Sequence, residues 1–216
     1  MTTPASTPPR RQRGSASTEL ALVEAAAALF AEHGYQATSL DAIVAGAEVT
    51  KGALYHHFSG KQAIFEAAFE QVEHRASVGI SEAMAGHEDP WVQAQAGLRA
   101  FLSAVQEPAY RQVVVSDGPS VLGHERFREH EERSTYAVVD RIVRSVLTPD
   151  EWQLDEAMLD TFTRVFFGAM SAAGGSVAVS EDPAAAAARV EAAIGLILTA
   201  LQRLLESGAA PLGPVE

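Results

Sequence analysis

Ala47-Glu48-Val49-Thr50-Lys51-Gly52-Ala53-Leu54-Tyr55-His56-His57-Phe58 is the stretch on which the reading of this chain turns. Thr50 offers a capping hydroxyl to a short helix that runs to about Phe58. Leu54 and Phe58, four residues apart, share the face of that helix that points back at a core. Just upstream, Thr38 or Ser39 caps another short helix over about 40–45, with Asp41 in its first turn and Leu40, Ile43 and Val44 inward. Gly46 to Val49 is then a tight turn between two short helices. Further upstream, Leu22, Ala26, Leu29 and Phe30 fall on one face of a helix from Ser17 or Thr18 to about His33. Gly34 stands where a left-handed cap is wanted. Downstream, Ser59-Gly60 breaks the chain and Lys61 opens a long helix with Ile64, Phe65, Ala68 and Val72 inward. This is helix-turn-helix geometry, in which the second helix of the pair enters a DNA major groove with its N-terminal residues foremost.

The residues at that N-terminus suit a duplex. Thr50, Tyr55, His56 and His57 carry groups that bond base edges or phosphates. Gly52 and Ala53 are small enough for close approach, and Ala53 fits a thymine methyl. Lys61 brings an amino group to a helix N-terminus, a combination that favours phosphate. Plainer uses stand beside these: Ser39 and Thr50 as helix caps, His57 as packing at the end of its helix, Lys51 and Lys61 as surface cations.

The longer pattern is Phe30-x3-Gly34-Tyr35-x2-Thr38-Ser39-x3-Ile43, then Ala47-x-Val49-Thr50-Lys51-Gly52-Ala53-Leu54-Tyr55-His56-His57-Phe58-x2-Lys61. It resembles the DNA-binding domain of the TetR (tetracycline-repressor) family over roughly residues 18–65. The resemblance implies an all-helical homodimer, a divergent C-terminal ligand-binding domain, and repression of transcription released by a small molecule. It places Thr50, Lys51, Gly52, Ala53 and Tyr55 against bases, and Ser39, His56, His57 and Lys61 against the backbone. Arg10, Arg11 and Arg13 would enter an adjacent minor groove, the alternative being a solvated tail. The chain departs from the family twice. Glu48 stands where glycine is usual, at a cost of about 1 kcal/mol if the turn demands positive φ. Glu19 stands near where a basic residue is common.

The remainder reads as helix after helix. Asp89-Pro90 starts one to about Gln106, Pro108 restarts a short one, and Asp117-Gly118-Pro119 is a turn. His124–Leu147 is long and charged, Asp155 to Val179 is apolar on more than one face, and Asp182-Pro183 starts the last. A helix with two apolar faces needs two partners. Either it is the central helix of a bundle, or it faces its own core and a second subunit. The second alternative makes Phe162, Phe166, Met170 and Ala173, with Ile194, Ile197, Leu198, Leu201 and Leu205, a two-fold contact between the last two long helices. The aromatics Trp91, Phe101, Phe127, Tyr136, Trp152, Phe162 and Phe166, with His130 as a polar candidate beside Arg99 and Asp117, are candidates for a ligand cavity. Aromatics at helical spacing are more often core.

Charge is divided unevenly. The chain has 216 residues and net charge −12, yet residues 1–61 hold five basic and five acidic side chains and both of the chain's lysines. A neutral head can approach phosphate, while an acidic body is held away from it. There is no cysteine, which excludes disulfides, a thiolate nucleophile and cysteine-based zinc sites. His124 and His130 lie about 240° apart around a helix and do not share a face. Gly118 to Gly123 is one residue too long for a nucleophile elbow. No charge-free run of 18 apolar residues occurs.

The expectation is therefore an all-α protein: a disordered basic arm over 1–17, a helix-turn-helix domain over 18–61, and a helical ligand-binding and dimerisation domain over 62–216. Its partners would be a palindromic DNA duplex, a small molecule and a second copy. No cofactor, metal, enzymatic activity or membrane is expected, and the location is cytoplasmic. Two alternatives stay open: a helical ligand-binding or enzymatic module without DNA binding, and an activator on the same fold.

Overall fold

The computed structural model describes residues 10–147 and 154–207, and among these every regular element is helical. Trp152 lies outside the described residues. Helix α1 spans Arg10–Ala37, α2 Leu40–Gly46, α3 Lys51–His57, α4 Lys61–Ala85 and α5 Pro90–Ala104. A π-helix, Tyr110–Asp117, leads directly into α6, Gly118–Leu122. Then come α7 His124–Leu147, α8 Glu156–Ala178 and α9 Pro183–Glu206.

The helix starts obey local capping chemistry. Side chains of Ser39, Thr50, Asp89, Asp155 and Asp182 each accept a backbone N–H from the first turn they precede. Thr38 is not the cap. Its hydroxyl donates back to the carbonyls of Gly34 (2.8 Å) and Leu29 (3.2 Å) and steadies a kink in α1. Gly34 makes that kink at φ 74° and ψ 168°, a positive-φ conformation with an extended ψ rather than the compact left-handed cap. The helix continues past it to Ala37. It also begins at Arg10, so residues 10–17, expected as an arm, form the first turns of α1.

The turn between α2 and α3 is a Schellman motif. Val49 N–H donates to the Val44 carbonyl and Glu48 N–H to that of Ala45, both at 3.2 Å. Glu48 occupies the left-handed position at φ 54°. Val44 and Val49 both pack on the core and complete the apolar contact of the motif.

One core joins the reading head to the body. Leu22, Phe30, Ile43, Leu54, Phe65 and Phe69 are buried together with Val113 and Val114 of the π-helix. The core crosses residue 61 without a break because α4 serves both sides. The expected turn at Asp117-Gly118-Pro119 is absent: these residues are helical, and the chain breaks at Gly123, φ 80°. A Cβ at Gly118 would stand 2.7 Å from the Phe69 ring, so the close seat of this segment on α4 requires glycine.

The body holds two further clusters. One, around Leu98, Phe101, Val105 and Val177, is capped by Ile80 and Met84 of α4. The other, around Val143, Leu147, Leu159 and Leu205, ties α7, α8 and α9 together. Arg144 pins α7 to α8 through Glu156 (2.8 Å) and Asp160 (3.1 Å) and is steadied on α7 itself by Asp140 (3.0 Å). The hydrogen bonds it donates to Glu156 and then Asp140 raise its pKa further above the ordinary arginine value.

Glu48→Gly removes a Cβ from a left-handed position. We expect it to raise unfolding free energy by about 0.5–1 kcal/mol, the strain relieved exceeding glycine's extra entropy in the unfolded chain. Urea denaturation measures this.

Candidate nucleic-acid interface

The two short helices bring the expected DNA-facing residues to one exposed edge. Ser39 Oγ accepts the Ala42 N–H at 3.1 Å and Thr50 Oγ1 the Ala53 N–H at 3.2 Å. Their hydroxyls thus cap helices and remain exposed. Lys51, Gly52 and His56 are also exposed, and Tyr55 retains 54% of its surface. Ala53 is half-buried at the base of this ridge. Leu54 and Phe58, on the opposite face, are buried, which fixes the rotation of α3 and turns Tyr55 and Lys51 outward.

Gly52 serves no packing purpose inside the protein. The one heavy atom near a Cβ placed there is the Thr50 hydroxyl oxygen, 3.9 Å away. Alanine would favour the helix by about 1 kcal/mol. The clearance it leaves is available to an external partner.

Both lysines are engaged within the protein. Lys51 Nζ sits 2.6 Å from Asp41 Oδ1, and its hydrogen bond to this carboxylate lifts its pKa above the ordinary lysine value. Lys61 Nζ donates to the Gln36 carbonyl at 3.2 Å and lies 4.4 Å from the centre of the Tyr35 ring. Lys61 therefore anchors the end of α1 as well as standing at the start of α4.

His56 and His57 diverge. His56 is exposed, whereas the His57 side chain is only 9% exposed and meets Glu19 Oε2 at 3.4 Å. Glu19, which departs from the expected basic residue, thus has a local partner in α3. Arg10, Arg11 and Arg13 lie on the first turns of α1.

Behind this edge, Gly34 and Tyr35 meet the π-helix. The Tyr35 N–H donates to Asp117 Oδ2 at 2.8 Å, and Gln112 Nε2 donates to the same oxygen at 3.1 Å. The Tyr35 ring packs on Phe30 and Phe65. Sequence reasoning offered Asp117 only as a pocket candidate. The structure makes it a link between α1 and the body.

The body contains an apolar pocket at the seam of its two clusters, partly open to solvent. Of the expected ligand residues, Phe101 and Phe166 line it. Phe127 lines a neighbouring chamber beneath the π-helix and packs on Phe69. Trp91 and Phe162 pack against the cluster of α7, α8 and α9, and Tyr136 against Phe167. His130 is buried against α4, with Glu66 at 3.2 Å and Glu70 at 3.5 Å, in a separate polar cleft. Its position, set by the seat of α7 on α4, gives no periodicity signal because the flanking face is charged. Arg99 pairs with Glu191 at 3.8 Å in another cleft, between α5 and α9.

The expected two-fold contact is divided. Leu198 and Leu205 are buried in their own subunit, and Phe166, Met170, Ile194 and Leu201 line its pocket. The correction follows from the width of the stripe on α9, which exceeds one face. Ile197 faces outward, as do Leu196 (71% exposed) and, on α8, Val165 (63%). By length and composition alone α9 is apolar enough to cross a membrane, and most of it is unburied within one chain.

Comparisons agree with this architecture over most of the chain. The family model for bacterial regulatory proteins of the tetR family matches residues 22–68, and that for the tetracyclin repressor-like C-terminal domain matches residues 91–201. The chain is 48% identical over 61 residues to the transposon Tn10 TetC protein of Escherichia coli, covering 28% of this chain and 31% of that protein. It therefore spans about a third of the length of this curated relative. It is 28% identical over 152 residues to the transcriptional regulator SrpR of Pseudomonas putida, covering 68% of each. A crystal structure of a TetR-family transcriptional regulator from Pectobacterium atrosepticum superposes with TM-score 0.74 at 27% identity, covering 90% of this chain and 97% of that one.

Two outcomes follow for binding to a target duplex. Gly52→Ala and Tyr55→Ala should each weaken it roughly tenfold or more, while leaving the unfolding midpoint within about 0.5 kcal/mol or, for Gly52→Ala, raising it. Fluorescence anisotropy beside thermal denaturation separates the effects. Asp41→Asn should free Lys51 and remove a carboxylate from the DNA-facing edge. Non-specific binding then tightens, and the slope of log affinity against log salt steepens by about one.

Proposed function

From the premise that the chain belongs to the TetR family, we propose that it is a homodimeric transcriptional repressor that leaves its operator when a small molecule enters the body. The observation that carries the DNA-binding reading is the exposed ridge of Thr50, Lys51, Gly52, Tyr55 and His56 on a helix whose opposite face is locked into the core. Thr50 through Tyr55 read bases in the major groove. Ser39, His56 and Lys61 meet phosphates, and Arg10, Arg11 and Arg13 follow the duplex beside them. His57 contributes by holding α3 to α1 through Glu19.

The division of labour is a reading head over residues 18–61 and a sensing and pairing body over 62–216. Pairing uses the outward face of α8 and α9, where Val165, Leu196 and Ile197 leave apolar surface uncovered. A two-fold pair of α3 helices fits a palindrome with half-sites about 34–36 Å apart. As a regulator of this kind it works in the cytoplasm, on the chromosome.

Release follows two connections from pocket to head. Helix α4 carries Ile80 in the pocket wall and Lys61 at its other end. The π-helix carries Asp117, which holds the Tyr35 N–H. A ligand shifts the spacing of the paired heads only by the free energy with which it prefers the displaced arrangement.

Selection from random duplexes tests the reading. Enrichment of a palindrome, bound with strong salt dependence, is the expected result; a chain that selects no sequence is not a DNA-binding regulator. A reporter placed under the selected site distinguishes repression from activation. Asp117→Ala should lower stability by about 1–2 kcal/mol by leaving the Tyr35 N–H unpaired. It should weaken the selected duplex several-fold while changing no DNA-facing side chain, as anisotropy will read.

A further inference from the structure

Two chambers adjoin in the body, and their walls differ in a way that defines what fits them. The first is the apolar pocket between α4, α5, α7, α8 and α9. The second lies beneath the π-helix and is closed by α5, α6, α7 and α8. They share Phe101 and Thr135. The Phe101 ring is the partition between them and rests on Gly174, where a Cβ would approach its Cζ to 2.6 Å. A ligand that spans both chambers has to displace that one ring.

Polarity runs one way across the partition. Among the described residues, no Asp, Glu, His, Lys or Arg side chain lines either chamber. In the first, Thr135 brings the one hydroxyl, and the rest of the wall is aliphatic, aromatic, thioether or glycine. In the second, Thr135 is joined by the hydroxyl residues Tyr110 and Ser171. A buried ion without a counter-charge costs several kcal/mol, and a carboxylate, phosphate or ammonium finds no opposite charge in these walls, only hydroxyls. An apolar body is accepted at one end and a neutral hydrogen-bonding group at the other.

The geometry points to an uncharged amphiphile as the effector, its apolar body in the chamber between α7 and α9 and its single polar end at Thr135, Tyr110 and Ser171. This rests on the ligand-release reading above and adds a chemical class and an orientation to it. The orientation has a consequence. The polar end lies against the π-helix, whose last residue, Asp117, holds Tyr35 and so the head. A ligand seated this way presses on the segment that connects pocket to DNA.

The test uses the intact chain and a matched ten-carbon series: 1-decanol, decanoate and decylammonium at pH 7. Binding is read by calorimetry and by the rise in melting temperature, without DNA. Decanol should bind at least tenfold more tightly than either ion. Thr135→Val, which removes the hydroxyl at nearly constant volume, should weaken decanol about fivefold, and Thr135→Ser should restore it. The inference is overturned if decanoate or decylammonium binds as well as decanol, if Thr135→Val leaves decanol unchanged, or if no member of the series binds. DNA enters as a separate measurement. Decanol that binds with these preferences but leaves the selected duplex bound upholds the ligand class and sinks ligand release. A chain that binds decanol and selects no duplex upholds the ligand class and sinks the DNA reading.

Discussion

The hydrogen bond from the Tyr35 N–H to Asp117 sets how the head sits on the body, and much of the surrounding structure exists to make it possible. Gly34 must kink α1 at positive φ, because only then does the next N–H leave the helix and point at the carboxylate. A Cβ at Gly34 would also come within 3.2 Å of Gln112, the second donor to Asp117. The carboxylate reaches the kink because the eight residues that end at Asp117 wind as a π-helix, whose wider turn shifts the register of the segment. Gly118 then lets this segment lie directly on Phe69 of α4. Loss of the carboxylate leaves a partly buried N–H unpaired, and the π-helix packs on both α1 and α4, the two helices that flank the head.

Residues 1–61 carry no net charge, and both lysines among them are already engaged. Lys51 is held by Asp41 and Lys61 by a carbonyl and an aromatic face. A phosphate has to compete with these partners, and an acidic body contributes further repulsion. Such an arrangement weakens the attraction that any duplex exerts through its backbone. The chain's overall acidity is thus compatible with a reading edge whose affinity depends on close fit.

Helix starts were legible in the sequence because capping is a contest between neighbours. Ser39, Thr50, Asp89, Asp155 and Asp182 needed only the next three residues to declare themselves. The strained turn was legible through the family resemblance, in which glycine is usual where Glu48 stands at positive φ. What escaped was whatever depended on a distant partner. The β-branched run Val113-Val114-Val115 has the composition of a strand, yet it lies in a π-helix. Asp117-Gly118-Pro119 had the composition of a turn, yet Gly118 is there for the approach of Phe69. His130 looked like part of a solvated face until α4 covered it. The stripe on α9 was visible, but which half faces its own core and which faces outward is settled only by where α5 and α7 lie.

The pocket lies where the two clusters of the body fail to merge. Ile142 and Ile194 pack against both, so a small expansion at the seam parts them without unfolding either. Close-packed interiors change between discrete arrangements rather than deform continuously. In the release mechanism proposed above, a ligand at this seam would act as a wedge between two units: one carries the π-helix contact and the end of α4, and in the other Arg144 ties α7 to α8.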